Sequence, residues 1–280
     1  MSRSRDGISR RIAVVPAYNE EPTVAGVLDK LAPLVDLLVI VDDGSTDGTR
    51  AEVRHWLADH DDAELLCIDQ NQGMSAAYHL AFSELRRRLG EGSLAADDLV
   101  CTVDADGQHD LDALDAMVET VRKQRLDALL AQRDLGDYPR YKQIGNRVMS
   151  VWATLWAGMP LPDVESGYRV FRLGALAEAL EYYRGFRYSE TVEVAVVLPR
   201  LGYRVRNDFS VRVPVFRSRT SMVDAAIDLS VMPAAWWRVM RHRSRLVGYG
   251  VPVAATAGLV VAAFAGKSAL RPPAALGHGR

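Results

Sequence analysis

A chain of 280 residues with 49% hydrophobic and 25% charged residues can build a large apolar core, which excludes an intrinsically disordered protein. The formal net charge of −2 hides an asymmetry: from residue 204 onward twelve Lys and Arg stand against three Asp and Glu, so a +9 segment follows a −11 segment. The two cysteines, Cys67 and Cys101, fall inside predicted strands, where we expect small core residues and no disulfide framework.

Strand and helix signals alternate along most of the chain. Apolar runs predict strands at 11–15, 37–41, 64–68, 99–103 and 128–131, and a late strand at 204–213. Helices are predicted at 23–32, 49–59, 75–88, 111–124, 141–156 and 189–198. Such alternation is typical of a parallel sheet with helices on both faces, hence an α/β fold. Residues 1–10 are basic, are predicted to be disordered, and lack the apolar stretch of a signal peptide.

Two carboxylates separated by one residue follow the strand that ends at Val103. Asp104 and Asp106 therefore fall at the carboxyl end of a strand, where open α/β sheets bind ligands. Hard divalent cations take oxygen ligands and often join a carboxylate to substrate phosphates. The pair indicates a site for Mg²⁺ or Mn²⁺ facing a diphosphate. An acidic turn that ends the strand and caps the next helix is the alternative.

Two upstream motifs favour the metal interpretation. Pro16-Ala17-Tyr18-Asn19-Glu20 follows the first strand, and Val41-Asp42-Asp43-Gly44-Ser45-Thr46-Asp47-Gly48-Thr49 ends the second. The sequence has neither a Gly-x-Gly-x-x-Gly after its first strand nor a Gly-Lys-Ser/Thr loop, the two usual backbone cradles for phosphate. A nucleotide bound at these loops would depend on a metal to neutralise its phosphates.

In this order, the motifs resemble glycosyltransferase family 2, and within it the polyprenyl-phosphate sugar transferases. Further matching segments are Asn71-Gln72-Gly73, Asp104-Ala105-Asp106-Gly107-Gln108-His109 and Ser166-Gly167-Tyr168-Arg169. The resemblance covers about residues 11–220 and implies a GT-A nucleotide-diphospho-sugar transferase domain at 11–222. It implies metal-dependent transfer of a sugar from a GDP- or UDP-sugar to polyprenyl phosphate, with inversion at the anomeric carbon, at the cytoplasmic face of the membrane.

The resemblance also implies roles for individual residues. The metal ligands would be Asp104, Asp106 and Gln108, with Asp106 the strongest and His109 outside the ligand set. The nucleotide sugar would contact Pro16, Tyr18, Glu20, Val41, Asp42, Asp43, Asp104, Ala105, Arg217 and Arg219. The segment around Arg217 departs from the family, because no lysine follows Ser221. That departure leaves the closing of this loop over the diphosphate, and the sugar itself, open.

A phosphate acceptor is already an anion, so it needs a cationic clamp more than a strong base. The arginine fork matches phosphate oxygens. The predicted acceptor-phosphate ligands are Arg133, which also counts as catalytic, Arg147 with Ser150, and Arg169. Asp163 is predicted to act as a base or to orient the acceptor, with Glu165 as its competitor.

The C-terminal part is predicted to contact a membrane. Residues 223–245 form a basic interfacial helix with Trp236, Trp237, Arg238, Arg241, Arg243 and Arg245. Residues 246–266 carry no charge and have about the length of a bilayer span. A helix in the membrane plane, or one packed on the enzyme or on a partner subunit, is the alternative for 246–266. Residues 267–280 are predicted to be disordered. On this basis, truncation after Val231 should leave a folded domain that no longer binds membranes.

Other functions remain compatible with the sequence. The same chemistry could use a polysaccharide, protein or glycolipid acceptor, and a non-catalytic nucleotide-sugar-binding subunit would keep the same fold. A nucleotidyltransferase is disfavoured by the missing Gly-rich loop. The basic tail fits an anionic lipid better than a nucleic acid, and a homo-oligomer is left open.

Overall fold

Seven strands form one mixed sheet in the order β3-β2-β1-β4-β6-β5-β7. A computed structural model describes residues 9–185, 189–213 and 222–243. The strands are β1 (Arg11–Ala17), β2 (Leu37–Asp43), β3 (Ala63–Ile68), β4 (Leu99–Thr102), β5 (Ala128–Arg133), β6 (Arg169–Arg172) and β7 (Val205–Val211). The helices are α1 (Val24–Leu31), α2 (Thr49–Leu57), α3 (Met74–Gly90), α4 (Leu114–Gln124), α5 (Arg140–Ala157), α6 (Leu173–Ala179), α7 (Glu190–Leu201) and α8 (Met222–Arg243).

Every strand and helix predicted between residues 11 and 213 is present, with its ends shifted by a few residues. The sequence reading missed β6 and α6. Strand β6 is four residues long, begins and ends with arginine, and pairs antiparallel with both β4 and β5. The sheet is therefore mixed, and the expectation of a parallel sheet is wrong at this strand.

Helices cover both faces of the sheet. One core cluster joins the sheet to α3, α5, α6, α7 and α8, and the other joins it to α1, α2 and α4. Central strands are buried on both faces, which explains their nearly continuous apolar sequences. Cys101 is buried as expected, whereas Cys67 is exposed, so its assignment to the core is wrong.

Helix α8 packs against this core and is not a removable appendage. Met232, Ala235 and Val239 are fully buried, and the ring of Trp236 packs on that of Trp156 with centroids 5.5 Å apart. Arg238 donates from Nε to the carbonyl of Tyr182 at 2.7 Å and lies 3.2 Å from the buried carboxylate of Glu193. Trp236 and Arg238 thus hold α8 in place, which contradicts their predicted role at a membrane surface.

Among the helices of the described ranges, none is long and apolar enough to cross a bilayer. The candidate span at 246–266, Arg245 and the tail at 267–280 lie outside the described residues.

Truncation after Val231 should unfold the protein rather than release it from membranes, and a pair of point variants tests this. Ala235 is buried against the core, whereas its neighbour Ala234 is exposed. Ala235→Asp should lower the free energy of unfolding by at least about 3 kcal/mol, because it buries an unpaired charge. Ala234→Asp should change it by less than about 0.5 kcal/mol. Urea denaturation of the two variants measures the difference, and equal stabilities would show that α8 does not dock.

Candidate active site

The carboxyl ends of β1, β2, β4 and β5 lie at one edge of the sheet. β1 pairs parallel with β2 and β4, while β4 and β5 both run antiparallel to β6 and so point the same way. The loops after these four strands, together with the segment that leads into β6, emerge at this edge. These are the places where the motifs singled out in the sequence occur.

The loop after β1 is fastened to the loop after β2. The backbone N–H of Thr46 donates to Asn19 Oδ1 at 2.8 Å, and the N–H of Glu20 donates to Thr49 Oγ1 at 2.8 Å. Asn19 has a left-handed backbone with φ of 54°, which turns the chain sharply after Tyr18. Tyr18 and Glu20 are therefore held partly exposed beside the second motif.

Asp43 joins the end of β2 to the Asn71-Gln72-Gly73 segment. Its carboxylate accepts from the backbone N–H groups of Gln72 at 2.9 Å and Gly73 at 2.7 Å, and from Asn71 Nδ2 at 3.1 Å. Burial raises the pKa of Asp43, and the two backbone donors oppose that shift. The Asn71-Gln72-Gly73 segment thus has a structural role, because its hydrogen bonds to Asp43 hold the loop before α3 in place.

Asp42 is fully buried and pairs with an arginine that sequence reasoning did not identify. Arg50 Nε donates to Asp42 Oδ2, and Arg50 Nη2 donates to the carbonyl of Ile68 at 3.1 Å. The side chain of Val41 is fully buried in the core, which leaves only its backbone for a nucleotide contact, and that contact stays a prediction. Nucleotide contacts by Asp42 and Asp43 stay predictions, as do those by Pro16, Tyr18, Glu20, Asp104 and Ala105. Arg217 and Arg219 lie outside the described residues.

His109 positions the first carboxylate of the Asp-x-Asp motif. The N–H of Asp104 donates to His109 Nδ1 at 3.2 Å, and His109 Nε2 lies 3.4 Å from Asp104 Oδ2. The imidazole stacks on the ring of Tyr168 with centroids 4.8 Å apart, and Tyr78 donates to Asp104 Oδ1 at 3.5 Å. These contacts orient Asp104 while leaving its carboxylate partly exposed.

The donor set at this motif fits a hard divalent cation. Asp106 Oδ1 accepts from the N–H of Gln108 at 3.0 Å, which tightens the turn that carries both acids. A Cβ on Gly167 would stand 3.3 Å from Asp104 Oδ2, so glycine keeps space in front of that carboxylate. Within the described ranges, no three His, Cys, Asp or Glu residues form a metal cluster. Two carboxylates that share a cation with substrate phosphates are the usual Mg²⁺ arrangement.

Arg133 and Asp163, two residues that the sequence predicts to serve the acceptor, form a bidentate ion pair. Arg133 Nε and Nη2 donate to Asp163 Oδ2 and Oδ1, each at 2.8 Å, and the N–H of Arg133 donates to the same carboxylate at 2.9 Å. Burial tends to lower the pKa of Arg133, but Asp163 and Glu165 raise it above its usual range. Asp163 is 1% exposed, so its geometry favours orienting Arg133 over acting as a base.

Glu165 is the more accessible carboxylate beside Arg133. Arg133 Nη2 lies 3.4 Å from Glu165 Oε2, and 37% of the Glu165 side chain is exposed. Burial raises the pKa of Glu165 above the ordinary glutamate value; Arg133 opposes this shift, while Asp163 adds to it. A raised pKa makes this carboxylate a stronger base than an ordinary glutamate side chain.

Two asparagines complete this network, and sequence reasoning missed both. Asn146 Oδ1 accepts from Arg133 Nη2 at 3.2 Å. Asn207 of β7 accepts from the N–H of Asp163 at 2.9 Å and donates to the carbonyls of Leu130 and Ala131. A buried asparagine inside a strand is the signal that could have pointed to Asn207.

A cleft of about 970 Å³ opens beside this ion pair. The structure brings four of the predicted acceptor-side residues into its lining, together with Arg140: Arg133, Arg147, Ser150 and Asp163. Arg147 is exposed, whereas Ser150 is buried and its hydroxyl accepts from the N–H of Val164 at 3.3 Å. The cleft therefore presents to a ligand one arginine that is fixed by a carboxylate, Arg133, and two that are exposed, Arg140 and Arg147. Ser150 mainly supports the loop that carries Asp163.

Arg169 does not line this cleft, and its buried side chain contradicts the prediction that it binds the acceptor phosphate. Its side chain is 1% exposed; Nε donates to the carbonyl of Ser166 at 2.6 Å and Nη2 to that of Val164 at 3.0 Å. Its Nη1 lies 3.7 Å from Glu190 Oε1. Burial lowers the pKa of Arg169 and raises that of Glu190 to about 7, and in each case the partner's charge opposes the shift. Arg169 thus stabilises, from inside the core, the segment between Asp163 and Arg169.

Replacing Arg169 should therefore cost stability before it costs acceptor affinity. Arg169→Met should lower the free energy of unfolding by about 3–5 kcal/mol, because it leaves Glu190 buried without a countercharge. The double variant Arg169→Met/Glu190→Gln should recover part of that loss. Thermal denaturation of the three proteins tests this. Wild-type stability in Arg169→Met, with weaker phosphate binding, would restore the original assignment.

Comparison with known proteins places these features in a family. The model of glycosyl transferase family 2 matches residues 12–178. An undecaprenyl-phosphate mannosyltransferase of Micrococcus luteus is 28% identical over 215 residues, which is 74% of this chain and 82% of the relative. A UDP-N-acetylglucosamine–dolichyl-phosphate N-acetylglucosaminyltransferase of Methanococcus voltae is 26% identical over 202 residues, 66% of this chain and 78% of the relative.

Solved structures share the fold. Glucosyl-3-phosphoglycerate synthase of Mycobacterium tuberculosis, in complex with Mn²⁺, UDP and glucosyl-3-phosphoglycerate, superposes with a TM-score of 0.60 at 20% identity, covering 83% of this chain and 80% of that one. A mannosyltransferase of Pyrobaculum calidifontis, in complex with GDP-mannose and Mn²⁺, gives a TM-score of 0.52 at 20% identity, covering 94% and 81%. These likenesses establish a GT-A-like α/β architecture.

Proposed function

Because the chain belongs to glycosyltransferase family 2, we propose that this glycosyltransferase moves a sugar from a GDP- or UDP-sugar to polyprenyl phosphate at the cytoplasmic face of the membrane. The observation that carries the acceptor assignment is the cleft in which Asp163 fixes Arg133 beside the exposed Arg147. A cleft lined by three arginines, Arg133, Arg140 and Arg147, suits a phosphate monoester. The M. luteus and M. voltae relatives, which are named for polyprenyl-phosphate acceptors, support the same choice.

The donor would bind across the ends of β1, β2 and β4. Tyr18 offers a ring to the base and Glu20 a carboxylate to the ribose, while the Asp42–Arg50 and Asp43–Asn71 contacts hold the surrounding loops. Asp104 and Asp106 would hold Mg²⁺ or Mn²⁺, with Gln108 as a further ligand, and the cation would offset the charge that develops on the departing diphosphate. Solved proteins of this fold that hold a nucleotide together with Mn²⁺ support this arrangement.

The transfer itself needs little proton chemistry with a phosphate acceptor. An acceptor phosphate oxygen forms a bond to the anomeric carbon while the bond from that carbon to the nucleoside diphosphate breaks, which inverts the configuration. Arg133, held by Asp163, and the exposed Arg147 would grip the other phosphate oxygens. Holding the reactants in line lowers the entropic part of the barrier.

A hydroxyl acceptor, as in a polysaccharide, protein or glycolipid, is the second candidate, and Glu165 is the observation in its favour. A hydroxyl group must lose a proton during transfer, and Glu165 is partly exposed with a raised pKa beside Arg133. A screen of GDP- and UDP-sugars with polyprenyl phosphate and with glycan acceptors tests both candidates. Transfer to polyprenyl phosphate that survives Glu165→Gln supports the proposal. Transfer to glycans alone would favour the second candidate. Binding of a sugar nucleotide without any transfer would favour a non-catalytic subunit.

Turnover should require a divalent cation. Asp106→Asn should remove a ligand that stabilises the leaving diphosphate, at a cost of several kcal/mol, or about a hundredfold or more in kcat/KM. The matched control is Asp112→Asn, an exposed acid in the segment that follows, which should keep wild-type activity. The measurement is the rate with EDTA and after adding back Mg²⁺ or Mn²⁺. Full activity in excess EDTA would contradict the metal assignment.

Arg147 should affect the acceptor and not the donor. Arg147→Ala removes a charge-assisted hydrogen bond worth about 1.5–3 kcal/mol, so the KM for polyprenyl phosphate should rise about ten- to a hundredfold. The KM for the sugar nucleotide should stay within about twofold of wild type, since these contacts lie apart from the donor loops. Arg54→Ala, an exposed arginine of α2, is the control. An unchanged acceptor KM in Arg147→Ala would show that this arginine does not bind the phosphate.

A further inference from the structure

Helix α5 carries a continuous apolar stripe on its outer surface. Among the described residues, five large apolar side chains are more than half exposed, and all five lie on this helix: Tyr141 (72%), Ile144 (63%), Val148 (55%), Val151 (65%) and Leu155 (61%). We call these five side chains the α5 stripe. Their spacing of three and four residues places them on one helix face over about 20 Å. The opposite face packs into the core through Met149, Ala153 and Ala157.

Exposed apolar side chains are ordinary when they are scattered, but a contiguous row of them marks a surface that something covers. Two occupants suit an apolar helix face of this length. One is the same helix of a second copy, and the other is the apolar boundary of a lipid bilayer. The charges on α5 distinguish the two.

The charged residues of α5 are all basic. Arg140, Lys142 and Arg147 lie on the helix, and no Asp or Glu occurs between Arg140 and Ala157. The neighbouring acids Asp134 and Asp137 precede the helix in the loop after β5. Two copies packed through this face would bring like charges together, whereas helix pairs are normally flanked by opposite charges. An apolar face bordered by Arg140 and Arg147 complements an anionic lipid surface instead.

The α5 stripe also borders the acceptor cleft. Ile144 and Val151 of the stripe line the cleft that contains Arg133 and Arg147. An amphiphile whose phosphate is held by these arginines could therefore keep its apolar chain in contact with the stripe. A bilayer against the stripe would supply such molecules without their leaving the lipid phase.

We propose that the α5 stripe is a membrane-docking surface that lies on an anionic bilayer, with Arg140 and Arg147 of α5 at the level of the headgroups. The docking itself rests on the stripe and its charges, and its purpose, delivery of a lipid phosphate to the cleft, rests on the proposed function. This places membrane contact on a different helix from the sequence-based expectation, since Trp236 and Arg238 of α8 are committed to packing.

A position-specific probe tests the docking in the full chain. The exposed Cys67 is changed to Ser, and a single cysteine introduced as Val148→Cys is labelled with an environment-sensitive fluorophore. The control label is placed by Ala51→Cys, on the exposed face of α2. With phosphatidylcholine–phosphatidylglycerol vesicles, the emission at position 148 should shift to the blue and be quenched by spin-labelled lipid, and the emission at position 51 should not change. No response at 148 overturns the proposal even if the protein floats with the vesicles. A concentration-dependent shift without lipid also overturns it, in favour of a second copy.

A charge-matched pair of variants tests what the docking does. Val148→Glu/Leu155→Glu adds two acids to the stripe at positions outside the cleft lining, and Ala51→Glu/Ala116→Glu adds two acids to exposed positions of α2 and α4. The stripe variant should lose roughly tenfold in transfer to long-chain polyprenyl phosphate in anionic vesicles, because each acid opposes the surface potential. Its transfer to a short-chain acceptor in detergent, and all activity of the control, should match wild type. Equal vesicle rates for both variants would overturn delivery by the stripe. If the wild type uses neither phosphate acceptor while the probe at 148 still responds, the docking stands and the proposed function fails.

Discussion

Strand β6 runs against its two neighbours, and the chemistry at this edge of the sheet depends on that reversal. Because β4 and β5 end where β6 begins, the segment from Asp163 to Arg169 lies across the ends of both. Three of its residues contact four residues of the neighbouring loops and strands. Asp163 holds Arg133, Gly167 leaves room in front of Asp104 and accepts from Thr102 Oγ1 at 2.6 Å, and Tyr168 stacks on His109. One short segment therefore couples the predicted metal motif to the cleft proposed to hold the acceptor.

Two arginines of this region, Arg133 and Arg169, differ in burial, and burial determines whether the side chain can bind a ligand or only stabilises the fold. Arg133 keeps about a fifth of its side chain exposed and is fixed by a bidentate carboxylate, so its remaining donors can serve a ligand. Arg169 is fully enclosed: its Nε and Nη2 donate to the carbonyls of Ser166 and Val164, and its Nη1 lies 3.7 Å from Glu190 Oε1. A buried pair of this kind is weak evidence for net stability, but losing one member is costly. The buried Arg169 thus supports the loop that carries Asp163, and the carboxylate of Asp163 in turn orients the partly exposed Arg133.

Local patterns in the sequence were sufficient to predict most helices and strands and to locate the loops that carry the acidic residues. Apolar runs and helix periodicity located β1 to β5, and the motifs after β1, β2 and β4 lie at the predicted edge. The missed strand β6 has only four residues, with Val170 and Phe171 between two arginines, which gives no apolar run to detect. The ion pair between Arg133 and Asp163 spans 30 residues and depends on that strand's direction. Burial likewise separated Arg147 from Arg169, two basic residues that no local pattern distinguishes.

Helix α5 presents the same ambiguity in its clearest form, because both of its long faces carry apolar side chains. Periodicity indicates a helix, but it cannot say which apolar face meets the core until the neighbouring strands and helices are in place. Helices α7 and α8 resolve this by covering one face: α7 packs along α5, and Trp152 Nε1 of α5 donates to the carbonyl of Leu229 in α8 at 2.9 Å. The other face is left to solvent beside the acceptor cleft. Packing of α7 and α8 against one face of α5 thus leaves the α5 stripe exposed. Helix α8, which the sequence predicted to contact the membrane, packs on the core instead and so helps to leave the proposed membrane-docking surface on α5.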